Sequence, residues 1–194
     1  MCSLRLKINK MIPVTVWGLT QPKYNKTFSK IMSENLTLPY VISAVKDDNT
    51  LITARTVIKI QKQIIASNCS PNVQVIVIDE TDLQSLDTDL FTSAFNNLAH
   101  LSYYSSKTYV IYCSLISELC VNDEVRELHK KVCQDLRRLT IHWPGRCYFQ
   151  DFEYLISRHD WDSTEVTQLL DSGQEKLAKV LVKVINNTPK EVFA

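Results

Sequence analysis

Residues 72–79 read "NVQVIVID". Between Asn72 and Asp79 only Gln74 interrupts an apolar, β-branched run. A strand with one wet face alternates apolar and polar residues. This one does not, so both of its faces must be covered. That is the condition of a central strand in a parallel sheet with helices on either side.

The chain on either side of this run repeats the theme. "IPVTVWG" (12–18) predicts a first strand, and a helix follows over about 24–35. "PYVISAV" (39–45) is the second strand. A helix then starts near an Asn49 or Thr50 cap, with Leu51, Ala54, Ile58 and Ile65 recurring at near-helical spacing. After 72–79 the spacing predicts a helix over about 87–103, with Leu90, Phe91, Ala94, Leu98 and Leu101 on one face. "KTYVIYCS" (107–114) is the fourth strand. Asn122 caps the next helix. Asp123 and Glu124 stand in its first turn, and Lys130, Lys131, Arg137 and Arg138 lie further on, as the helix dipole favours. Gly145 opens a fifth strand, "RCYFQDF" (146–152). A last helix is expected from Ser163 or Thr164 to about Ile185, its core face carrying Leu169, Leu177, Leu181 and Ile185. Strict alternation of this kind predicts an α/β fold, a three-layer doubly wound sandwich around a five-stranded parallel sheet. Strand order 2-1-3-4-5 and right-handed crossovers are expected. One domain spans residues 1–194, with 1–10 and 186–194 frayed or lightly packed.

Composition narrows the function. Apolar residues make up 45% of the chain and charged residues 22%, enough for a packed core. The net charge of +1 gives no global basic field, so any nucleic-acid surface is a local patch. The only glycines are Gly18, Gly145 and Gly173, too few and too far apart for a glycine-rich phosphate loop. The cysteines, Cys2, Cys69, Cys113, Cys120, Cys133 and Cys147, form no C-x-x-C pair. Their spacing does not suggest zinc, and the nearest histidines do not complete a ligand set. Buried free thiols in a reducing cytosol are expected, with no metal and no cofactor. "MCSLRLKINK" lacks the apolar core of a signal peptide, and no run approaches the ~20 residues of a membrane span. A cytoplasmic location away from membranes follows as the expectation.

Three stretches bring a family to mind. The arrangement resembles the SGNH (GDSL-type) hydrolases, whose first strand ends in G-D-S with the serine as nucleophile. Here "VWGLTQP" stands in that place: Gly18 fits, Leu19 replaces the aspartate and Thr20 the serine. The family's third block, G-x-N-D, closes strand three and supplies an oxyanion-hole asparagine. Here Asp79 replaces the glycine, Thr81 the asparagine, and Asp82 fits the aspartate. The last block, D-x-x-H before the C-terminal helix, is matched in its helical part by Gly173, Leu177 and Ala178, but Glu165 and Gln168 occupy the triad positions. A threonine nucleophile needs a base beside it, and a glutamine accepts no proton at neutral pH. Loss of an oxyanion donor alone costs about 2.7–4 kcal/mol in such enzymes. A pseudoenzyme is the expectation.

An SGNH-like fold with its catalytic set replaced resembles the C-terminal OSK domain of insect Oskar proteins. The resemblance implies a non-enzymatic domain that binds messenger RNA through surface basic residues in germ-plasm assembly. It also implies protein partners in a ribonucleoprotein assembly and residence in cytoplasmic germ-plasm granules.

Position suggests where RNA would lie. Loops after the strands gather at the carboxyl edge of the sheet. Lys23, Tyr24, Lys26 and Lys30 follow the first loop, with the three lysines spaced to share a helix face, and Arg158 and His159 follow the fifth strand. Cations track phosphates and aromatic faces stack bases. A rival patch is Arg55, Lys59 and Lys62 on the second helix. Lys130, Lys131, Arg137 and Arg138 are partly neutralised by Glu124, Glu127 and Asp135, and "DETDLQSLDTD" (79–89) is expected to serve helix caps more than a metal. Two other functions remain open: a residual esterase using Thr20, and a protein-interaction scaffold with Leu19 and Trp161 as surface contacts.

Overall fold

The computed structural model describes residues 11–18, 25–46, 52–66, 70–84, 88–104, 107–117, 119–120, 122–163 and 168–193. Five strands form one sheet: β1 (Ile12–Trp17), β2 (Tyr40–Lys46), β3 (Asn72–Asp79), β4 (Thr108–Leu115) and β5 (Cys147–Asp151). All neighbours pair in parallel, in the order β2-β1-β3-β4-β5. The helices are α1 (Asn25–Asn35), α2 (Ala54–Ala66), α3 (Glu80–Gln84), α4 (Thr88–Tyr104), α5 (Asp123–His142) and α6 (Asp171–Asn186).

The two covered faces account for the apolar runs. Val73, Val75 and Val77 of β3 and Ile111 and Cys113 of β4 pack with Phe28 and Met32 of α1 and Leu177 and Leu181 of α6. Ile76, Ile78, Val110 and Tyr112 face the other way, against Ile60, Phe95, Leu98, Val132 and Leu136 of α2, α4 and α5. The α/β sandwich and its strand order are as the sequence predicts. Asn122 caps α5 as expected, accepting from the backbone N–H groups of Glu124 and Val125 at 3.0 and 3.2 Å. Cys113, Cys120, Cys133 and Cys147 are buried free thiols.

Four local expectations need correction. The buried face of α2 is Thr56, Val57, Ile60 and Ile64, whereas Ile58 and Ile65 are 42% and 57% exposed. Isoleucines lie on both sides of this helix, so periodicity alone does not select the inner one. A short helix, α3, forms directly after β3 where none is expected, because the Asp79 carboxylate accepts from the Thr81 and Asp82 N–H groups at 2.9 and 3.0 Å and caps it. The last helix begins at Asp171 and not at 163 or 164. Before it the chain doubles back: Trp161 pairs antiparallel with Leu169, and the Leu170 N–H donates to the Asp160 carbonyl at 2.8 Å. Finally, the C-terminal segment is packed. Val192 is buried, and its carbonyl accepts from Arg146 at 2.7 Å, while the Tyr40 hydroxyl donates to the Thr188 carbonyl at 3.2 Å. Residues 1–10 lie outside the described residues.

Candidate nucleic-acid interface at the carboxyl edge

The edge is organised by one close approach. Gly18 leaves β1 at φ +90°, and a Cβ placed on it would sit 1.9 Å from the Val77 carbonyl oxygen and 2.8 Å from Ile52. Only glycine lets the first strand end this near to β3. The loop it opens carries Leu19, Thr20, Lys23 and Tyr24, which lie outside the described residues, as does the Lys26 side chain.

The acids after β3 act as struts. Asp82 is fully buried and accepts from the Ile52 N–H at 2.6 Å and the Asp79 N–H at 2.9 Å, tying the start of α2 to the end of β3. Burial, and then the charge of Asp79, push its carboxyl up to about 8 against the pull of those two N–H groups. Glu80 is also buried, and it accepts from the Ser117 N–H at 3.3 Å, which anchors the loop after β4. Burial raises its carboxyl above the ordinary value. The structural reading of this acidic segment therefore holds for Asp79, Glu80 and Asp82. Thr81, at the position of the family's asparagine, is half-buried, and its backbone N–H is already engaged by Asp79.

The other side of the edge is a rigid turn. Arg158–Asp160 forms one 3-10 turn after β5. Asp160 is its hub: the carboxylate accepts from Ser157 N–H at 2.8 Å, Ser157 Oγ and Ser172 Oγ at 2.9 Å, and Lys176 Nζ at 2.6 Å. Burial alone would raise the Asp160 carboxyl, but Lys176 and the serines outweigh it and hold it at about 2. Gly173 allows this packing, since a Cβ there would meet the Asp160 carbonyl oxygen at 2.9 Å. A folded-state value below the unfolded 3.8 makes Asp160 stabilising above about pH 4, and that contribution disappears as the pH falls towards 2. Asp160→Asn is expected to lose ~1–2 kcal/mol at pH 7, limited by the half-exposed lysine. Urea midpoints at pH 7, 4 and 2 check it: the gap between the two proteins should close at pH 2, and a constant gap would refute the linkage.

On this turn Arg158 and His159 are both exposed. With Leu119, Trp161 and Ser163 they line an open cleft of about 370 Å³, with no acidic side chain in the lining among the described residues. Trp161 corrects an expectation: it is 4% exposed and packs in the core, so it is no free surface contact. Its indole N–H has no hydrogen-bond partner among the described residues. Gln168 sits beside the turn, its carbonyl accepting from the Asp162 N–H at 2.9 Å, and Glu165 lies outside the described residues.

The structure sorts the cationic patches. Lys30 is exposed on α1, which packs on α6 in the same layer as the Arg158 turn, but it does not line the cleft. Arg55, Lys59 and Lys62 are exposed on α2, in the opposite layer, so the two patches are separate surfaces. On α5, Arg137 pairs with Asp151, Lys130 with Glu127 and Arg138 with Asp135, in keeping with partial neutralisation there. Two groupings escape sequence reading. His100, Tyr103, Tyr104, His142 and Trp143 form a cluster of rings with centroids 4.8–5.7 Å apart at the C-terminal ends of α4 and α5. Their i, i+3 and i, i+4 spacing within α4 is visible in sequence, but the pairing with Trp143 is not. His129, Cys133 and Asp151 converge as well, although cysteine spacing points to no ligand set.

No family model matches the chain, and no curated protein matches it. The fold is similar to that of a protein of the lipolytic G-D-S-L family from Desulfitobacterium hafniense, with a TM-score of 0.63 and 12% identity over 89% of this chain and 98% of that one. The five-stranded sandwich is thus SGNH hydrolase-like in architecture.

Proposed function

We propose that the chain is a non-enzymatic RNA-binding domain on an SGNH-like fold, and that RNA lies along the carboxyl edge at the Arg158–His159 cleft. The observation that carries this reading is the cleft itself. Two exposed basic side chains, Arg158 and His159, line it on a turn braced by Asp160, with no acidic side chain in the lining among the described residues. Phosphate oxygens would accept from the Arg158 guanidinium. The case against hydrolysis rests on residue types: Thr20, Thr81 and Gln168 where the family places serine, asparagine and histidine. Lys23, Lys26 and Lys30 would extend the track along α1. By resemblance to the OSK domain, the ligand is messenger RNA in a cytoplasmic germ-plasm assembly with protein partners.

Filter binding of a labelled single-stranded RNA across a salt series tests the proposal. Affinity should fall steeply with salt, and Arg158→Ala should lower the slope of log K against log salt by about one. Charge reversal at Lys30 and Arg158 should weaken binding more than reversal at Arg137 and Arg138. No retention at low salt would overturn RNA binding. Loss only on reversal of Arg55, Lys59 and Lys62 would move the site to α2. A short-chain ester assay with a Thr20→Ala control separates the esterase alternative, since only Thr20-dependent turnover would support it.

A further inference from the structure

The side-chain cluster on the opposite side of the sheet from α1 and α6 stands apart from the cleft. α5 carries His129 and Cys133 four residues apart, hence on one face. Asp151 ends β5, and the sheet register sets it beside Ser114 of β4. Cys133 Sγ lies 3.3 Å from His129 Nε2 and 3.3 Å from Ser114 Oγ. One ligand atom from each of His129, Cys133 and Asp151 falls within 4.8 Å of the others. His129 and Cys133 are 3% and 2% exposed.

We propose that His129 Nε2, Cys133 Sγ and an Asp151 carboxylate oxygen bind one zinc ion, with water as the fourth ligand. Tetrahedral zinc with bonds of about 2.0–2.1 Å to nitrogen and about 2.3 Å to sulfur places those two atoms about 3.5 Å apart, close to the observed separation. The donor set of imidazole, thiolate and carboxylate suits zinc and disfavours calcium and magnesium. Asp151 is oriented from outside the cluster. Arg137 donates to Oδ2 at 2.5 Å, and the Glu153 N–H donates to Oδ1 at 3.0 Å. Such outer partners are what holds a metal ligand in place, and the carboxylate retains free lone pairs. Arg137, whose side chain is half-exposed, covers Asp151 from the solvent side, and the ion approaches there.

Protonation states agree with this arrangement. Burial lowers His129, which leaves its imidazole neutral with a lone pair to give. Burial raises the Cys133 thiol to about 11, so without metal it keeps its proton and donates to Ser114. That same value, with the burial, makes Cys133 a poor nucleophile, so a cysteine–histidine hydrolytic relay is not the reading. On coordination the S–H bond breaks and its proton goes to solvent. Zinc(II), one thiolate and one carboxylate then sum to zero charge, and the Ser114 hydroxyl turns to donate to the thiolate sulfur. This inference does not rest on RNA binding.

Cobalt(II) titration of chelator-stripped protein provides the test. One equivalent should bind with a thiolate-to-cobalt charge-transfer band and tetrahedral d–d bands, and zinc should displace it. Cys133→Ser should abolish the charge-transfer band. His129→Gln should weaken zinc binding by at least the ~10–100-fold that loss of an outer partner costs. Zinc affinity should rise about tenfold per pH unit from pH 6 to 8, reflecting one released proton. Equal uptake by all three proteins, or cobalt bound without the charge-transfer band, would overturn the site. Where a variant does not fold, the native protein decides: excess zinc must raise its urea midpoint, increasingly with metal concentration, and an unchanged midpoint refutes the proposal.

Discussion

Gly18→Ala is expected to lower stability by about 3–5 kcal/mol and to shift the urea midpoint down by about 2 M. Two effects combine. An alanine at φ +90° occupies a region that costs an L-residue ~1–2 kcal/mol. Its Cβ would also overlap the Val77 carbonyl oxygen at 1.9 Å, and that oxygen belongs to the buried central strand, not to a flexible side chain. Relief requires β1 to move away from β3 at the very point where the loop begins. Gly145 separates the two effects, since it has φ +76° with nothing within 4 Å of an added Cβ. Gly145→Ala should therefore cost only the ~1–2 kcal/mol of backbone strain. Chemical denaturation of both variants measures the difference, and equal losses would show that the close approach contributes nothing.

That glycine shows what the sequence can and cannot disclose. Its place after "VTVW" identifies a strand-to-loop junction, and the apolar runs of β3 and β4 reveal a doubly covered sheet, because complete burial leaves an uninterrupted pattern. The reason Gly18 must be glycine lies far along the chain, at Val77, which no local pattern reveals. α2 illustrates ambiguity of a different kind: with isoleucine at 58, 60, 64 and 65, several stripes look apolar, and contact with α4 decides among them. The start of α6 is misplaced because Ser163 and Thr164 have the chemistry of a cap. The pairing of Trp161 with Leu169 and the bonds to Asp160 draw the chain back first.

The site divides in the same way. Arg158 and His159 are legible as exposed polar residues beyond β5, and the structure puts both on one cleft. Trp161 next to them is apolar and aromatic, and nothing local says whether it faces water or core. His129 and Cys133 are legible as helix neighbours, but Asp151 joins them only through the pairing of β4 with β5. Contacts made within a helix are written in spacing, whereas contacts made across the sheet are written in register, which the sequence leaves implicit.

Asp82→Ala is expected to cost about 2–4 kcal/mol, because it strands the buried Ile52 N–H, at ~1–3 kcal/mol, and the half-buried Asp79 N–H, at the lower end of that range. Asp82→Asn should cost less, since an amide oxygen still accepts from Ile52, and it should also change the response to pH. The folded Asp82 carboxyl titrates near 8 and the unfolded one near 3.8, so between these values the folded state holds more protons. Stability must then decline as pH rises through that window, with a slope of at most ~1.4 kcal/mol per pH unit. Burial, and then the charge of Asp79, hold the Asp82 carboxyl up in the folded protein. The amide of the Asp82→Asn variant has no proton to lose in this range, so that protein should show a flatter profile from pH 5 to 8. Urea midpoints of both proteins across that range supply the measurement. Parallel profiles would mean that Asp82 is ionised in the folded protein, and the buried strut would then have to be an anion held by its two N–H groups alone.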